Sequence, residues 1–393
     1  MHVSRIALDQ FRRYNNLKLD VPETGLRIVG NNASGKTSLL EVLLLLATTK
    51  SPRVSIEREL IRWESGEEFG LAPYARITAH VVTSHGEHDL ELRLEATGAS
   101  GLTARKTCIV DGKNVRASTM VGILKVVEFS PEDVQLVSGP PSDRRRQLDI
   151  LISQIDRHYM QSSSRYGKVL AQRNSLLRAF SKEGVSFRST NAIEQLRFWD
   201  EELVQHGARI VMARSNVVKA LGEQMRTWSG ALMSIHTIDA VYSPGIPRIE
   251  HVLARDHSER DVLPAIQERF SRELEAARAD DMRRGTTTIG PQRDDMGFRI
   301  DHRSLAAYGS RGQQRLGVIA LKLSEADVIE HLTGEKPVLL LDDALSELDQ
   351  SHASLLLQSV GVSDRQLLLT SALEGVLDRA ELAHLETIHL DPE

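Results

Sequence analysis

The sequence has very little cysteine and few aromatic residues. Among its 393 residues there is one cysteine, Cys108, and only 4% of the residues are Phe, Trp or Tyr. A single cysteine excludes an intramolecular disulfide, and scarce cysteine is typical of proteins that work in a reducing compartment. A disulfide-stabilised secreted domain is therefore excluded, and we expect a cytoplasmic protein.

Long hydrophobic runs are also missing. The longest, residues 39–47, is interrupted by Glu41 and is far shorter than the roughly 20 apolar residues that a membrane-spanning helix needs. Residues 1–11 alternate like a strand and lack the basic segment and apolar core of a signal peptide. The sequence predicts neither a membrane protein nor a secreted one.

What is present describes a globular chain with an uneven charge distribution. Hydrophobic residues make up 41% and charged residues 26%, and 393 residues are enough for two domains. The net charge is −5, yet residues 140–219 hold 14 Lys and Arg against 8 Asp and Glu. One part of the chain is therefore basic although the whole is acidic, and this part is a candidate for binding a polyanion.

The most informative motif is a phosphate-binding loop at residues 30–37. It fits the pattern G-x-x-x-x-G-K-S/T and lies between an apolar strand at 26–29 and an apolar helix at 39–47. In such a loop, backbone N–H groups and the helix dipole bind phosphate; Lys36 would contact the β- and γ-phosphates and Thr37 would bind Mg²⁺. The predicted nucleotide-binding residues are Gly30, Asn31, Asn32, Ala33, Ser34, Gly35, Lys36 and Thr37.

A second motif late in the chain has the form of a Walker B strand. Apolar residues 337–341 lead directly into Asp342 and Asp343. Next to a phosphate-binding loop, this pattern predicts that Asp342 holds Mg²⁺, directly or through water, and that Asp343 acts as the general base that polarises the attacking water. We therefore predict Asp343 and Lys36 as catalytic and ATP with Mg²⁺ as the cofactors.

A third motif opens the apolar helix that precedes this strand. The serine, glycine and glutamine at Ser310, Gly312 and Gln313 are similar in spacing to the signature motif of ABC-type ATPases. They would present a hydroxyl and backbone N–H groups at a helix N-terminus, which suits a phosphate. Since the chain already has one phosphate loop, we predict that this helix binds the nucleotide of a second copy, in a head-to-tail homodimer with two ATP molecules between the protomers.

The basic stretch is mainly helical, with long periodic patterns at 147–182 and 191–228. Aromatic residues are too sparse for base stacking, so the pattern favours contacts with a duplex backbone over single-strand binding. Solvated helix charges remain the alternative for each residue. Of the three successive arginines at 144–146, not all can serve one site, because neighbouring helical residues point in different directions. The candidate DNA contacts are Arg144, Arg157, Arg165, Lys168 and Arg173.

Two smaller features have two interpretations each, and a third has a structural interpretation only. Arg12 and Arg13 belong either to a solvated turn or to a contact with the base or ribose of a nucleotide. The polar loop at 290–295, Gly-Pro-Gln-Arg-Asp-Asp, either lines a site or forms a hydrogen-bonded turn. Trp63 and Trp199 are predicted to be packing residues.

Taken together, six segments resemble the RecF family of bacterial recombination-mediator ATPases over nearly the full length of the chain. Each segment alone is modest, and their order and spacing make the resemblance specific. They are Phe-Arg-Arg at 11–13, the phosphate loop at 30–37, the segment at 129–139 with its following arginines, and the motifs at 290–295, 310–315 and 339–349.

This resemblance implies an α/β fold, an ABC/SMC-like P-loop ATPase head with an inserted, mostly helical arm domain. Residues 1–140 and 286–393 would form the head and residues 141–285 the basic arm. It further implies a weak ATPase that dimerises on double-stranded DNA and gap junctions. Cooperation with RecR and RecO would promote RecA loading at single-strand gaps, replication-fork repair and the SOS response.

Several positions depart from related patterns. Ala33 stands where the family usually has glycine, and Gln292 stands where it usually has histidine. Residues 369–371 lack the histidine that ABC transporters carry there, and Asp343 is shorter than their glutamate. These departures bear on the hydrolysis rate more than on ATP binding.

Two alternatives are a nucleotide subunit of a membrane transporter and an SMC-type or anti-phage ATPase head. The absent histidine and the basic helical insertion disfavour the first. The lack of a long heptad run and of a metal-ligand cluster disfavours the second.

Overall fold

A computed structural model gives the conformation of most of the chain. It describes residues 1–31, 33–54, 56–66, 70, 72–97, 103–233, 236–254, 259–346, 348, 350–361, 364–372, 374–377 and 379–390. Among these residues, no helix combines the length and the apolar character that crossing a bilayer requires.

The N-terminal region forms a six-stranded antiparallel sheet with the order β2-β1-β4-β5-β6-β7. Its strands alternate buried and exposed residues, as expected for a sheet with one face on a core. The Asp111-Gly112 turn, with φ of 51° and 73°, closes the β6–β7 hairpin. The strands are β1 (His2–Phe11), β2 (Tyr14–Asp20), β4 (Tyr74–Thr83), β5 (Gly86–Thr97), β6 (Thr103–Val110) and β7 (Lys113–Val115).

The central sheet is parallel and has the order β14-β3-β13-β12-β8. Its inner strands β12 and β13 are nearly continuous apolar runs, because both faces are covered there. Leu340 and Leu368 face a core shared with the antiparallel sheet, whereas Leu339 and Leu369 face a second core. The strands are β3 (Gly25–Val29), β8 (Val126–Phe129), β12 (Val338–Asp342), β13 (Leu367–Ser371) and β14 (Glu386–His389).

Helices cover the two faces of this sheet. Helix α1 (Lys36–Thr48) belongs to the core shared with the antiparallel sheet and is buried almost throughout, including Glu41. Helix α10 (Arg311–Thr333) contributes to the core on the opposite face. The short helices are α2 (Ala117–Met120), α3 (Gln135–Ser138), α7 (Glu250–Leu253), α9 (Leu305–Tyr308), α11 (Gln350–Gly361) and α12 (Glu374–Leu377).

The basic insertion consists mainly of α4 (Pro141–Ile155), α5 (Arg157–Glu183), α6 (Thr190–Met233) and α8 (Glu259–Arg284). The single helix expected at 147–182 is interrupted at Asp156, which adopts an extended conformation and caps α5 by accepting a hydrogen bond from the His158 N–H at 2.7 Å. Sequence periodicity continues across this break, so it did not reveal the boundary.

The insertion is continuous with the head. Strand β9 (Ile238–Ser243) pairs with β10 (Asp295–Ile300), which also pairs with β11 (Arg303–Ser304). Residues of α6, such as Val211 and Leu221, share one hydrophobic core with α10 and the parallel sheet. A smaller separate cluster lies farther along the arm, around Leu177 and Leu196. The division at residues 140 and 285 therefore stays a prediction, with a strand on each side of the second boundary joined in one sheet.

Candidate nucleotide site

The predicted catalytic groups meet at one edge of the parallel sheet. Because all five strands run in the same direction, the loops that follow β3, β12 and β13 emerge side by side. This brings the phosphate loop next to Asp342 and Thr370, although more than 300 residues separate Thr37 from Asp342. The strand topology alone therefore makes this edge of the sheet a candidate ligand site.

The phosphate loop has the backbone conformation of an anion cradle. Gly35 has φ 98°, and a side chain on Gly30 would meet Ser34 Oγ at 2.6 Å and the Leu390 carbonyl at 2.7 Å. Ala33 has φ 65°, in the left-handed region where a side chain is strained. Asn32, predicted as part of the same loop, lies outside the described residues.

Two features of the loop fit a phosphate group. Helix α1 begins at the loop without a side-chain cap and without an acidic residue in its first turn, so its N-terminal N–H groups suit an anion. The hydroxyl of Ser34 is buried and has no hydrogen-bond partner among the described residues. Both the backbone and the side chain of this loop thus offer donors that the protein itself does not use.

Lys36 is folded back onto the loop. Its Nζ donates to the carbonyls of Gly30 at 2.6 Å and Asn31 at 2.8 Å. Burial lowers the pKa of Lys36, and the nearby carboxylates of Asp343 and Asp342 act in the opposite direction. A phosphate would provide the strong counter-charge that the two carbonyls lack, so the ammonium group is positioned to exchange them for phosphate oxygens.

Asp342 is surrounded by hydrogen-bond donors. Its Oδ1 accepts from the hydroxyls of Thr37 and Thr370, each at 2.9 Å, and its Oδ2 accepts from Arg53 Nη2 at 2.8 Å. Sequence reasoning predicted Thr37 and Asp342 but missed the other two. Strand β13 ends in the polar pair Thr370-Ser371, which was the only sequence feature that pointed to Thr370.

These oxygens fit a magnesium ion. The hydroxyl of Thr37 and the carboxylate of Asp342 are hard oxygen donors, which Mg²⁺ prefers, and it commonly keeps several waters and binds substrate phosphates as well. The Thr37 hydroxyl and Asp342 Oδ1 are 2.9 Å apart, so both oxygens lie together beside the phosphate loop. The donor set therefore matches the predicted metal.

Asp343 lies at the bend where the chain leaves β12. Its φ is 49°, and its N–H donates to Thr370 Oγ1 at 3.0 Å. The hydroxyl of Thr370 thus contacts both acids of the pair and fixes how the chain turns between them. Left-handed backbone in a non-glycine residue is commonly found at functional sites, and Asp is one of the residues that tolerate it.

The turn between β1 and β2 and the first residue of β2 contact the phosphate loop through their side chains. Arg13 donates to the carbonyl of Ala33, and Tyr14 donates to the carbonyl of Gly35 at 3.1 Å. Arg12 instead forms two hydrogen bonds with the buried Glu41 of α1, at 2.9 and 3.0 Å. Of the two arginines predicted either to contact nucleotide or to be solvated, Arg13 lies beside the loop and Arg12 is a structural ion pair.

The signature residues lie at an exposed helix end. Ser310 caps α10 by accepting from the Gln313 N–H at 3.2 Å, and the Gln313 side chain accepts from the Ser310 N–H at 2.9 Å. This is a reciprocal capping box. Ser310 and Gly312 are exposed, and a side chain on Gly312 would meet no atom closer than 4.0 Å. Among the described contacts, none joins Ser310 to the phosphate loop of the same chain.

The polar loop at 290–295 proves to be a buried junction between insertion and head. Asp294, fully buried, accepts from Arg214 of α6 at 2.8 Å and from the hydroxyl of Tyr242 at 2.5 Å. Gln292 accepts from Tyr166 of α5. Burial raises the pKa of Asp294, and Arg214 acts in the opposite direction. The hydrogen-bonded turn is the correct interpretation of this motif.

Two predicted DNA contacts are corrected by their surroundings. Arg173 is fully buried and pairs with Asp200 and Asp281, each at 2.7 Å. Arg144 is also buried and makes two hydrogen bonds to Asp295, at 2.7 and 2.9 Å. Both stabilise the protein and cannot reach a DNA backbone. The helical pattern did not reveal their burial, because the acids that hold them are distant in sequence.

The other three candidates are exposed on one broad face of α5. Arg157, Arg165 and Lys168 are all exposed, and their spacing along a helix with 3.6 residues per turn keeps them together. Arg165 also forms an ion pair with Glu202 at 2.9 Å. By contrast, Trp63 is 86% exposed, so its predicted packing role is wrong.

The fold and the site together define an ABC/SMC-like ATPase head, as the sequence predicted. A solved Smc head bound to the C-winged helix domain of ScpA has the same fold, with a TM-score of 0.51 at 13% identity over 99% of this chain and 94% of that one. The sequence model of the family described as RecF/RecN/SMC N terminal domain matches residues 2–388.

Within that class, the chain belongs to the RecF family. It is 44% identical over 395 residues to the DNA replication and repair protein RecF of Thermomicrobium roseum, covering 100% of this chain and 98% of the relative. A solved structure of the recombination mediator protein RecF-ATP in the RecFOR pathway superposes with a TM-score of 0.80 at 29% identity, covering 95% and 92% of the two chains. The predicted family and fold class are confirmed.

Proposed function

We propose that this chain is a cytoplasmic, ATP-dependent DNA-binding repair protein in which nucleotide acts as a switch for dimerisation on duplex DNA. The observation that carries the proposal is that the predicted nucleotide-binding residues lie at two separate places on the protein. Lys36, Thr37 and Asp342 meet at one edge of the sheet, whereas the signature helix presents Ser310 to solvent elsewhere.

Nucleotide binding begins at the phosphate loop. The N–H groups at the start of α1 and the hydroxyl of Ser34 bind phosphate oxygens, and Lys36 leaves the carbonyls of Gly30 and Asn31 to bind the terminal phosphates. Thr37 and Asp342 would hold Mg²⁺, which would neutralise part of the phosphate charge. Lys36 thereby exchanges two contacts with neutral carbonyls for contacts with charged phosphate oxygens.

Hydrolysis is slow in this proposal. Asp343 accepts a hydrogen bond from the attacking water and orients it, with its backbone anchored to Thr370. Its side chain is one methylene shorter than glutamate, so it supports the water less well. A slow turnover suits a switch, because the dimer must persist on DNA before ATP is consumed.

Dimerisation completes the site. The exposed end of α10 offers Ser310, Gly312 and the N–H groups of its first turn to the nucleotide of a second copy. Two such contacts, related by symmetry, enclose two ATP molecules between the protomers. An isologous interface of this kind forms only when both loops are occupied, so ATP controls assembly.

The basic face of α5 binds duplex DNA. Arg157, Arg165 and Lys168 are exposed there, and their charges bind backbone phosphates with release of counterions. Binding at gap junctions would direct the dimer to sites where RecR and RecO promote RecA loading, which supports replication-fork repair and the SOS response. The pathway named for the related solved structure, RecFOR, supports these partners.

The direct test is light scattering of the purified protein with ATP and Mg²⁺, with and without a duplex oligonucleotide. We expect a dimer with ATP and a monomer without it. The Ser310→Arg variant should stay monomeric yet bind a fluorescent ATP analogue as well as the wild type. Ser175→Arg, an exposed serine on α5, is the matched control and should dimerise.

A wild-type protein that remains monomeric with saturating ATP and duplex would overturn the proposal. A companion measurement is the ATPase rate with and without duplex, beside Lys36→Arg as the inactive reference. A rate that duplex leaves unchanged would favour a nucleotide subunit with another partner.

A further inference from the structure

Arg53 lies between two carboxylates on neighbouring strands. Its Nη2 donates to Asp342 Oδ2 and to Glu128 Oε1, each at 2.8 Å. Glu128 is on β8 and Asp342 on β12, and these strands are paired in parallel, with Leu341 opposite Phe129. All three side chains are at least three-quarters buried, with exposures of 23%, 15% and 8%. Partial burial makes their charges interact strongly.

This arrangement puts a fixed positive charge beside the carboxylate assigned to the metal. A guanidinium on Asp342 Oδ2 reduces the negative charge that a cation at Asp342 would experience, and it also repels that cation. Glu128 offsets the effect, because it shares the same Nη2 of Arg53. The net charge that a cation at Asp342 would experience therefore depends on how closely the Arg53 guanidinium binds Asp342 and how closely it binds Glu128.

We propose that Glu128 is a positioning residue that sets the magnesium affinity of the nucleotide site by drawing Arg53 away from Asp342. This inference rests on the proposed function, since it needs ATP and Mg²⁺ to bind at the phosphate loop. When the metal binds, Arg53 transfers to Glu128, and Asp342 keeps its full charge for the metal.

Space and an unused donor for this transfer are present. A cavity of about 510 Å³ adjoins the three residues and is lined by Arg53, Glu128, Asp133, Arg146 and Lys322, among others. The Nη1 group of Arg53 is buried and has no hydrogen-bond partner among the described residues. The guanidinium thus has Nη2 on the two acids and, in Nη1, a second donor that no described residue occupies.

Glu128 shares this cavity with Lys322 of the signature helix α10. Burial raises the pKa of Glu128, whereas the charges of Arg53 and of Lys322 on α10 lower it. Lys322 is held by Asp133 at 3.3 Å and Glu325 at 3.6 Å. Glu128 is therefore kept near two cations, one from the metal side and one from the helix that begins at Ser310.

The test is a Mg²⁺ titration of the binding of a fluorescent ATP analogue, measured by anisotropy on the full chain. Glu128→Gln should raise the Mg²⁺ concentration for half-maximal binding by about three- to tenfold, from the Coulomb energy of one charge in a partly buried site. Arg53→Gln should lower it. Glu132→Gln removes an exposed acid of the same cavity and should leave it unchanged.

The double variant identifies the route. If Glu128 acts through Arg53, Glu128→Gln should have no effect in the Arg53→Gln background, which a double-mutant cycle measures. An equal effect in both backgrounds would overturn the inference, as would a Glu128→Gln protein with the wild-type Mg²⁺ requirement. If a thermal unfolding experiment shows that Glu128→Gln is not folded, Glu128→Asp replaces it in the titration. The expected shift in the Mg²⁺ requirement is then smaller and in the same direction.

These outcomes separate the inference from the function on which it rests. A wild-type protein that binds no ATP analogue at saturating Mg²⁺ contradicts the proposed function itself. A wild-type protein that binds with a clear Mg²⁺ dependence, together with variants that do not change it, contradicts only the role of Glu128.

Discussion

The hydroxyl of Thr370 donates to Asp342 Oδ1 over 2.9 Å and accepts from the Asp343 N–H over 3.0 Å. One buried threonine on β13 thus joins both acids at the end of β12, the strand next to it in the sheet. The predicted metal ligand Asp342 and the predicted base Asp343 are therefore both held by one residue, which follows Asp343 by 27 positions in the chain.

Thr370→Val should damage the site while keeping the shape of the side chain. Loss of the hydroxyl leaves a buried carboxylate oxygen and an N–H with one partner fewer, at a cost of about 1–3 kcal/mol in unfolding free energy. We expect that loss in denaturant unfolding and a reduced ATPase rate. Thr78→Val is the control, since the one described hydrogen bond of the Thr78 hydroxyl is long, 3.4 Å, and lies in the antiparallel sheet. Equal effects of the two substitutions would contradict the assignment.

Ala33→Gly should stabilise the protein without nucleotide. The φ of 65° at Ala33 is unfavourable for any residue with a side chain, and glycine relieves about 1 kcal/mol of that strain. The expected result is a higher melting temperature in calorimetry. Ala171→Gly, at an exposed position of α5, is the matched control and should instead destabilise by about 1 kcal/mol. A loss of stability in both variants would show that the loop is not strained.

Arg173→Met should be strongly destabilising. It leaves Asp200 and Asp281 without their shared cation in a buried position, which costs about 3–5 kcal/mol. Chemical denaturation of the purified variant measures this loss. Arg178→Met, an exposed arginine on the same helix, should change the unfolding free energy by less than about 0.5 kcal/mol. Comparable stability of the two variants would contradict the burial of Arg173.

Lys168→Gln should weaken duplex binding without affecting stability. If Lys168 contacts one backbone phosphate, the slope of log K against log salt concentration should fall by about 0.9. Fluorescence anisotropy with a labelled duplex at several salt concentrations gives this slope. Lys219→Gln removes the same charge from α6 and serves as the comparison. A slope that is identical to the wild type would remove Lys168 from the DNA surface.

His80→Gln should have a pH-dependent effect on stability. The hydrogen bond that His80 donates to the Asp89 carboxylate, at 2.8 Å, raises the pKa of His80 above its ordinary value. A raised pKa in the folded state stabilises the protein fully below about pH 6.5, and this contribution is lost as the pH rises through the folded pKa.

The difference in melting temperature between wild type and His80→Gln should therefore be larger at pH 6 than at pH 9, in buffers chosen on either side of about 6.5. It should remain small, because the pair is solvent-exposed. His85→Gln controls for the substitution in the neighbouring turn. A difference that grows with pH would have the wrong sign.

Local patterns predicted the parts of the site that are contiguous in sequence. Strand β3, the phosphate loop and helix α1 follow one another along the chain, so Lys36 and Thr37 could be assigned from spacing alone. Arg53 and Glu128 could not, because nothing in their own segments indicates that they share a contact with Asp342. Their roles follow from strand order, which a single sequence does not display.

Charge patterns were the least reliable guide. Arg165 and Arg173 are both basic residues of one amphipathic helix, eight positions apart, yet one is exposed and the other is completely buried. The difference arises from Asp281 and Thr287, which approach Arg173 from more than 100 residues away. Trp63 shows the reverse case, an apolar side chain that remains in solvent.

The sequence by itself determined the family, the α/β head, the phosphate loop and the acidic pair after β12. Each depends on motifs whose own residues are close along the chain, where hydrogen-bonding geometry and hydrophobic periodicity act directly, and the family depends also on the order of those motifs. Only the tertiary structure decided which arginines are buried, how Thr370 joins two acids, and how Arg53 divides between Glu128 and Asp342. Those contacts exist because parallel strands bring distant segments to one edge, and burial then makes every unpaired charge too costly to leave.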